Sequence, residues 1–294
     1  MRRDYLLRSL MFVPSHNRKL MESASRQNAD VLLLDIEDSV QPLSNKKIAR
    51  AMILEYLESG KFKGKTLFPR VNDRESGELL NDVLDLTVDG IEGFMYPKAK
   101  TGEDVYFFDK LLEIIEYQKG IEIGTFKIIP LIETSAAVLN VQDICKASAR
   151  VIAIAYGSED FITDLEGNHD IAHDSLQVPR AIIAMGARAN DVIPIDTVHV
   201  RVHDLEDLEV NLKNSVNLGF EGMLVLNPKE LPLVHQYYSP TDQDVLDARE
   251  MLTLAEEAAN NGEGVAIKGG KFIGPPMIKA AKKILLKDLL IKSK

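Results

Sequence analysis

The sequence predicts a (β/α)8 barrel, and three observations predict it. Short apolar segments recur through the first 235 residues and alternate with segments of helical period. Within each short segment the apolar positions are largely consecutive, which marks strands buried on both faces, as in a parallel sheet covered by helices. Each segment ends on a polar or charged residue, and that end is where parallel barrels place their chemistry. Residues 126–133 (FKIIPLIE) show this best: an apolar run leads straight into Glu133, and residues 134–137 open a helix. A doubly wound open sheet is the alternative reading of the same alternation.

Taken in order, residues 9–13 (SLMFV) form the first strand, stopped by Pro14 and followed by a polar turn and a helix to about residue 27. Residues 31–34 (VLLL) form the second, running into Asp35, Glu37 and Asp38. Ser44 is the expected N-cap of the next helix, which Gly60 stops. Residues 66–71 (TLFPRV) form the third strand although Pro69 removes a ladder donor. A helix over 75–86 leads to the fourth strand, 93–96 (GFMY), closed by Pro97 and Lys98. A helix over 103–118, with Val105, Phe108, Leu111, Leu112 and Ile115 at helical period, precedes the fifth strand. Residues 135–147 are helical, and 151–156 (VIAIAY) form the sixth strand, leading into 157–160 (GSED). A polar loop over 163–174 precedes a helix over 175–189. The seventh strand, 192–195, is weakened by Pro194. A helix over 205–218 ends at Gly219, and 222–226 (GMLVL) form the eighth strand, closing on Asn227 and Pro228.

The barrel is expected over residues 1–235. Beyond it the rhythm stops. Residues 241–260 read as a long helix, GEGVAIKGGKFIGPP as a mobile loop, and the chain from Met277 as a basic helix. Residues 236–294 are too short for a core of their own. They are expected to form a helical extension lying on the barrel mouth or on a neighbouring subunit.

Among 294 residues, 45% are hydrophobic, enough for a sizeable core, and the net charge of -10 argues against nucleic acid as a partner. The single cysteine, Cys145, can form no internal disulfide; it sits in a helical pattern and reads as a buried, inert thiol, in keeping with a cytoplasmic setting. The first residues are basic then apolar, but Arg8 and Pro14 break the run, so neither a signal segment nor a membrane span is expected.

The polar residues at the expected strand ends are the candidate site. They include Ser15, His16, Asp35, Glu37 and Asp38, then Arg70, Asn72 and Lys98, and finally Glu133, Asp160, Asp196 and Asn227. Carboxylates dominate and no zinc-like histidine spacing occurs, which favours a hard cation such as Mg2+ over zinc. Glu133 and Asp160 come from adjacent strands and could share that ion, with Glu37 and Asp38 behind them orienting Arg70. Arg70 can grip a substrate carboxylate through two parallel hydrogen bonds. Against this, Asp160 could merely cap a turn, and Arg70 could serve only in a rim ion pair with Asp38 or Glu37. The basic residues Arg18, Lys19, Lys46 and Lys47 could meet phosphates or simply form a solvated helix face.

At these residues the chain resembles the citrate lyase β-subunit-like family of the HpcH/HpaI aldolase/citrate lyase superfamily, which holds citryl-, malyl- and citramalyl-thioester lyases. The resemblance rests on RSLMFVPSHNRKL, LLLDIEDSV, FPRVN, GFMYPKA, IIPLIET, IAYGSEDF, NLGFEGMLVLNPKE, LDAREMLTLAEEA and GKFIGPPMIKAAKKIL, in that order. It implies a TIM barrel, Mg2+ held by Glu133 and Asp160, and catalysis by Arg70, Glu133 and Asp160. It further implies that Arg70, Glu133, Asn227 and Pro228 meet substrate. The thioester carrier, CoA or an acyl-carrier protein, would fall to Phe12, Pro14, Ser15 and His16, with Asn17, Arg18 and Lys19 beside them. Homotrimers or homohexamers are implied as well. The expected reaction cleaves a 3-hydroxyacyl thioester into an acyl thioester and a 2-oxo acid; an aldolase acting without thioester is the alternative. One position departs from the family pattern: many members carry an aspartate, as GKMIDGP, where this chain has Gly274. Glycine transfers no proton, which also leaves open a catalytically weakened subunit or binding protein.

Overall fold

The computed structural model describes residues 4–169, 175–260, 266–268 and 271–294. Eight parallel strands close into a barrel in chain order: β1 (Ser9–Pro14), β2 (Val31–Asp35), β3 (Thr66–Arg70), β4 (Gly93–Tyr96), β5 (Lys127–Ile132), β6 (Ala153–Tyr156), β7 (Ile193–Asp196) and β8 (Gly222–Val225). Closure is made where β1 pairs with β8, Ser9 opposite Met223 and Met11 opposite Val225. That seam excludes the open-sheet alternative. A side chain at Gly222 would overlap the Leu7 carbonyl oxygen, so only glycine lets the eighth strand meet the first.

The prolines within strands are tolerated for a geometric reason. In a parallel strand successive residues turn their backbone groups to opposite neighbours. The Arg70 carbonyl accepts from Ile36 on the β2 side, whereas the Val71 amide donates to Met95 on the β4 side. Pro69 therefore lacks its donor on the β4 side, where pairing is reduced to Arg70 opposite Met95. Pro194 likewise faces β8, where only Ile195 and Asp196 pair.

Helices α1 (Arg18–Ala24), α2 (Asn45–Glu58), α3 (Leu79–Leu86) and α4 (Gly102–Lys119) follow the first four strands. After β5 come α5 (Ser135–Leu139) and α6 (Val141–Lys146), and after β6 come α7 (Ser158–Asp164) and α8 (Gln177–Ala189). Helices α9 (Leu205–Leu218) and α10 (Leu231–Tyr238) flank β8. Their apolar faces cover the strands: Phe108, Leu112 and Ile115 of α4 are buried as their spacing predicts, and so is Cys145.

Several local expectations are corrected. Ser44 precedes α2 with helical backbone angles and its side chain makes no cap bond. The helix expected over 75–86 is broken by Gly77 in the left-handed region (φ 77), leaving a 3-10 turn, Arg74–Ser76, before α3. The helix expected over 135–147 is interrupted at Asn140. The polar loop expected from residue 163 begins inside α7, and residues 170–174 lie outside the described residues.

The chain divides into two compact units, Leu7–His235 and Asp4–Leu6 with Gln236–Lys294. In the second, α11 (Asp242–Asn260) and α12 (Pro275–Lys292) bury Ala258 and Ile273 among Met251, Leu254, Met277 and Ile278. The stretch expected to be a mobile loop contains an antiparallel pair, β9 (Ala266–Lys268) and β10 (Lys271–Ile273); residues 262–265 and 269–270 within it lie outside the described residues. Among the described residues no helix is long and apolar enough to cross a membrane.

Candidate active site

Glu133 follows the last residue of β5 and is only 2% exposed. Its Oε1 accepts a hydrogen bond from the Lys98 main-chain amide at 2.6 Å. Lys98 stands two residues after β4 with its backbone in the left-handed region (φ 54), a conformation that costs a lysine roughly 1 kcal/mol or more and points to local over-determination. On the opposite side the chain leaving β6 comes so near that a Cβ on Gly157 would lie 2.9 Å from the Glu133 Cβ. The carboxyl is thus held by main chain from two neighbouring strands. Burial, reinforced by the negative charges of Glu37 and Asp160, pushes Glu133 up to about 8; the Lys98 amide and Arg70 only partly offset this.

Arg70 ends β3. Its Nε and Nη2 donate to the two Asp35 oxygens at 2.8 and 2.7 Å, while Nη1 lies 3.1 Å from Glu37 and 3.2 Å from Asp38. The guanidinium also sits over the Phe12 ring, 4.7 Å from its centre. The edge expected to grip a substrate carboxylate with two parallel bonds is therefore closed on Asp35. The reason is local: Arg70 and Asp35 are register partners on adjacent strands, so their side chains leave the sheet together. Burial works against ionising Asp35, but Arg70 outweighs it and holds the carboxyl below its ordinary value. Glu37 is the opposite case. Burial pushes it up to about 7 despite Arg70, and neither of its oxygens has an aligned hydrogen bond. The Lys98 ammonium lies 3.1 Å from Glu37 and 3.0 Å from Asp73.

Arg70, Glu133 and Asp160 line one cavity of about 460 Å³ at the C-terminal end of the strands. Asp35 and Asp38 from β2 and Glu159 beside Asp160 complete its acidic side. Asp160 is exposed on the first turn of α7. Ser158 and Thr197 stand between the ends of β6 and β7, where the Thr197 Oγ1 donates to the Ser158 Oγ at 2.6 Å and accepts from the Ser158 amide.

The first strand's turn is split. Phe12 and Pro14 line the cavity. Ser15 is fully buried, its hydroxyl donating to the Val13 carbonyl, and it does not line the cavity. His16 carries a buried Nδ1 with no hydrogen-bond partner. Asn17 is spent capping α1 through the Leu20 amide, and Arg18 makes a two-bond pair with Glu55 at 2.6 and 2.7 Å on the surface. Lys19 is exposed. Lys46 does not belong to a phosphate-facing surface: it is buried and donates to the Glu37 carbonyl at 2.5 Å. Asn227 caps the 3-10 turn Pro228–Glu230 through the Lys229 amide, with Pro228 as its first residue; neither lines the cavity.

With the fold and this geometry in place, the sequence profile described as HpcH/HpaI aldolase/citrate lyase matches residues 8–228, three quarters of the chain. The chain belongs to that family. A citrate lyase subunit beta from Haemophilus influenzae is 31% identical over 280 residues, covering 95% of this chain and 96% of that protein. An L-malyl-CoA/beta-methylmalyl-CoA lyase from Cereibacter sphaeroides is 30% identical over 299 residues, covering 95% and 93%. Among solved structures, the CitE protein of Mycobacterium tuberculosis in complex with magnesium, acetoacetate and coenzyme A superposes with a TM-score of 0.71 at 22% identity, covering 98% of this chain and 99% of that one, and shares the barrel. As a member of the family the chain is an enzyme, a carbon–carbon lyase.

Among the described residues no three His, Cys, Asp or Glu side chains converge to hold a metal by themselves. The residues present nevertheless fit a hard cation that takes one or two protein carboxylates and fills its shell with water and substrate oxygens. Glu37 and Glu133, pushed up to about 7 and about 8 by burial and by neighbouring carboxylates, are an electrostatic deficit that a divalent ion would relieve.

Sequence reasoning underrated Asp35, which anchors Arg70, and missed that Lys98 acts on Glu133 through its amide. The β2–β3 register could have shown the first; nothing in the sequence signals the left-handed backbone at 98. The apolar residues of the cavity, Leu131, Leu224 and Leu226, were hidden because they read simply as strand core.

Proposed function

We propose that this enzyme cleaves a 3-hydroxyacyl thioester into an acyl thioester and a 2-oxo acid, with Mg2+ as cofactor and CoA as the thioester carrier. The observation that carries the reading is the convergence of Arg70 at the end of β3, Glu133 just after β5 and Asp160 on α7 after β6 on one cavity whose carboxylates outnumber its cations. The CoA-ester and citrate lyases among its relatives, and the magnesium and coenzyme A in the structural neighbour, support it.

Glu133 and Asp160 would hold the ion, which when bound polarises the substrate hydroxyl and the carboxylate beside it. Glu133 is kept in position by the Lys98 amide and by the tight approach of Gly157, so no reorganisation is needed on binding. Arg70, locked by Asp35, offers the cavity the positive charge of its remaining face and orients the anionic end of the substrate. Cleavage sends the C–C bonding pair onto the α-carbon of the acyl thioester, where the thioester delocalises it; the hydroxyl gives its proton to water and becomes the carbonyl of the oxo acid, and the enolate takes a proton from water to become the acyl thioester. Phe12 and Pro14 place the first strand's turn beside the cavity, where the carrier would approach. The extension after residue 235 and a homo-oligomeric assembly belong to the same proposal.

The test is cleavage of citramalyl-, malyl- and citryl-CoA with Mg2+. Glu133→Gln should lose turnover by about 10³-fold or more, the scale of an essential electrostatic contact. Equal rates in the variant and the parent would remove Glu133 from the site.

Gly274 favours a second reading, a subunit of weakened catalysis. Its backbone (φ -103, ψ 174) suits any residue, and it is the N-cap of α12. A Cβ there would meet only the exposed Phe272 ring, at 2.6 Å, which can turn aside. Gly274→Asp is therefore structurally permitted. If it switches on cleavage absent from the parent, the second reading holds.

A further inference from the structure

The cavity has two unlike halves. Its acidic side comes from β2, β3, β5 and β6: Asp35, Asp38, Glu133, Glu159 and Asp160 surround Arg70, which among the described residues is the one cation lining it. The facing side is apolar. It is built by Phe12 and Pro14 of β1, Val198 and Val200 after β7, and Leu224 and Leu226 at the end of β8. Because β7, β8 and β1 are consecutive around the ring, these residues contribute an apolar wall from one arc of it, with Phe12 at the edge of that arc under the Arg70 guanidinium.

Resting on the lyase reading, we propose that the 2-oxo-acid half of the substrate carries a single carboxylate and an alkyl group, in preference to a second carboxylate. With the ion and Arg70 sharing the carboxylate beside the hydroxyl, no further cation among the described residues lines the cavity for a second one. Arg70 already has its fork on Asp35 and its Nη1 near Glu37 and Asp38. The hydroxyls nearby are also committed: Thr197 donates to Ser158, Ser158 turns toward Glu159, and Ser39 supports Asp35. A second carboxylate would face either the acidic side, where it is repelled, or the apolar wall, where it would lose water and gain no donor. An alkyl group against that wall gains about fourfold in affinity per CH2 removed from water.

The test is titration calorimetry of the Mg2+-loaded protein with pyruvate, 2-oxobutyrate and oxaloacetate, together with cleavage of citramalyl- and citryl-CoA. The expected result is 2-oxobutyrate tighter than pyruvate by about fourfold, and oxaloacetate weaker than 2-oxobutyrate by roughly tenfold or more, the effect of leaving one charge unpaired. Leu226 lines the wall yet is 43% exposed, so Leu226→Lys should fold and should raise oxaloacetate relative to 2-oxobutyrate by roughly tenfold. Oxaloacetate binding as tightly as 2-oxobutyrate, no binding of any of the three, or an unchanged ratio in Leu226→Lys would overturn the proposal. Preference for 2-oxobutyrate with no thioester cleaved would support the selectivity and reject the lyase reading, so the two fail separately.

Discussion

At the N-terminal end of the strands Arg150 donates to Glu116 at 2.7 and 2.5 Å, to Asp109 at 2.6 Å and to the Phe126 carbonyl, while Glu116 also accepts from the amides of Gly124 and Phe126. Arg8 and Asp30 close on each other in the same way before β1 and β2. At the C-terminal end Glu37 is buried without an aligned donor and Glu133 is pushed up to about 8. Both ends bury charge. One end pairs both oxygens of Glu116 and of Asp30 and so fixes the chain; the other leaves a surplus that costs stability and is available to a ligand. Buried charge alone therefore does not mark a site in this barrel; imbalance among charges that line a cavity does.

Four outcomes would break or sharpen that contrast. The largest concerns Arg150→Met, which leaves Glu116 buried and unpaired and should destabilise the fold by about 3–5 kcal/mol in urea unfolding. Lyase activity per folded molecule should stay unchanged. Next, Glu133→Gln should do the reverse. It removes turnover, yet stability should hold or rise by roughly 1 kcal/mol at pH 8, because a crowded carboxylate has gone.

The third outcome is a pH dependence. Glu133, held up to about 8 in the metal-free protein, must lose its proton to take an ion. Mg2+ affinity, read by thermal shift, should therefore climb by up to about tenfold per unit from pH 6 to pH 8 and level off above. A flat profile would mean the ion does not meet Glu133.

The smallest effect tests a carboxyl away from the cavity. Burial pushes Glu230 from 4.5 up to about 7, the main chain at Asn227 and Leu226 offsetting it only in part, and neither of its oxygens has an aligned hydrogen bond. A raised acid favours the folded state below its unfolded value and loses that advantage as pH rises to its folded one. The parent should lose stability between pH 4.5 and 7. Glu230→Gln should lack that loss and be more stable by roughly 1–3 kcal/mol above pH 7.

Much of this was legible in the sequence. Consecutive burial in segments such as VLLL and VIAIAY has one economical solution, and the barrel follows from repeating it eight times. The residues at the strand ends, Arg70, Glu133 and Asp160, follow from the same pattern. What was not legible depends on dihedral angles and on register. The break at Gly77, the interruption at Asn140 and the pairing of the glycine-rich stretch are decided by single backbone conformations that composition does not encode. For Arg70 the sequence left a substrate grip and a rim ion pair with Asp38 or Glu37 both open; it did not single out Asp35, which becomes its partner only across a ladder.

One consequence follows from the bond between Glu133 and position 98. The donor is a peptide nitrogen, so exchanging the lysine for another amino acid would silence the ammonium without loosening the grip on the acid. Glycine would adopt the required twist with less strain, and proline alone would let the carboxyl go. An alanine scan would therefore pass over one of the contacts that positions Glu133.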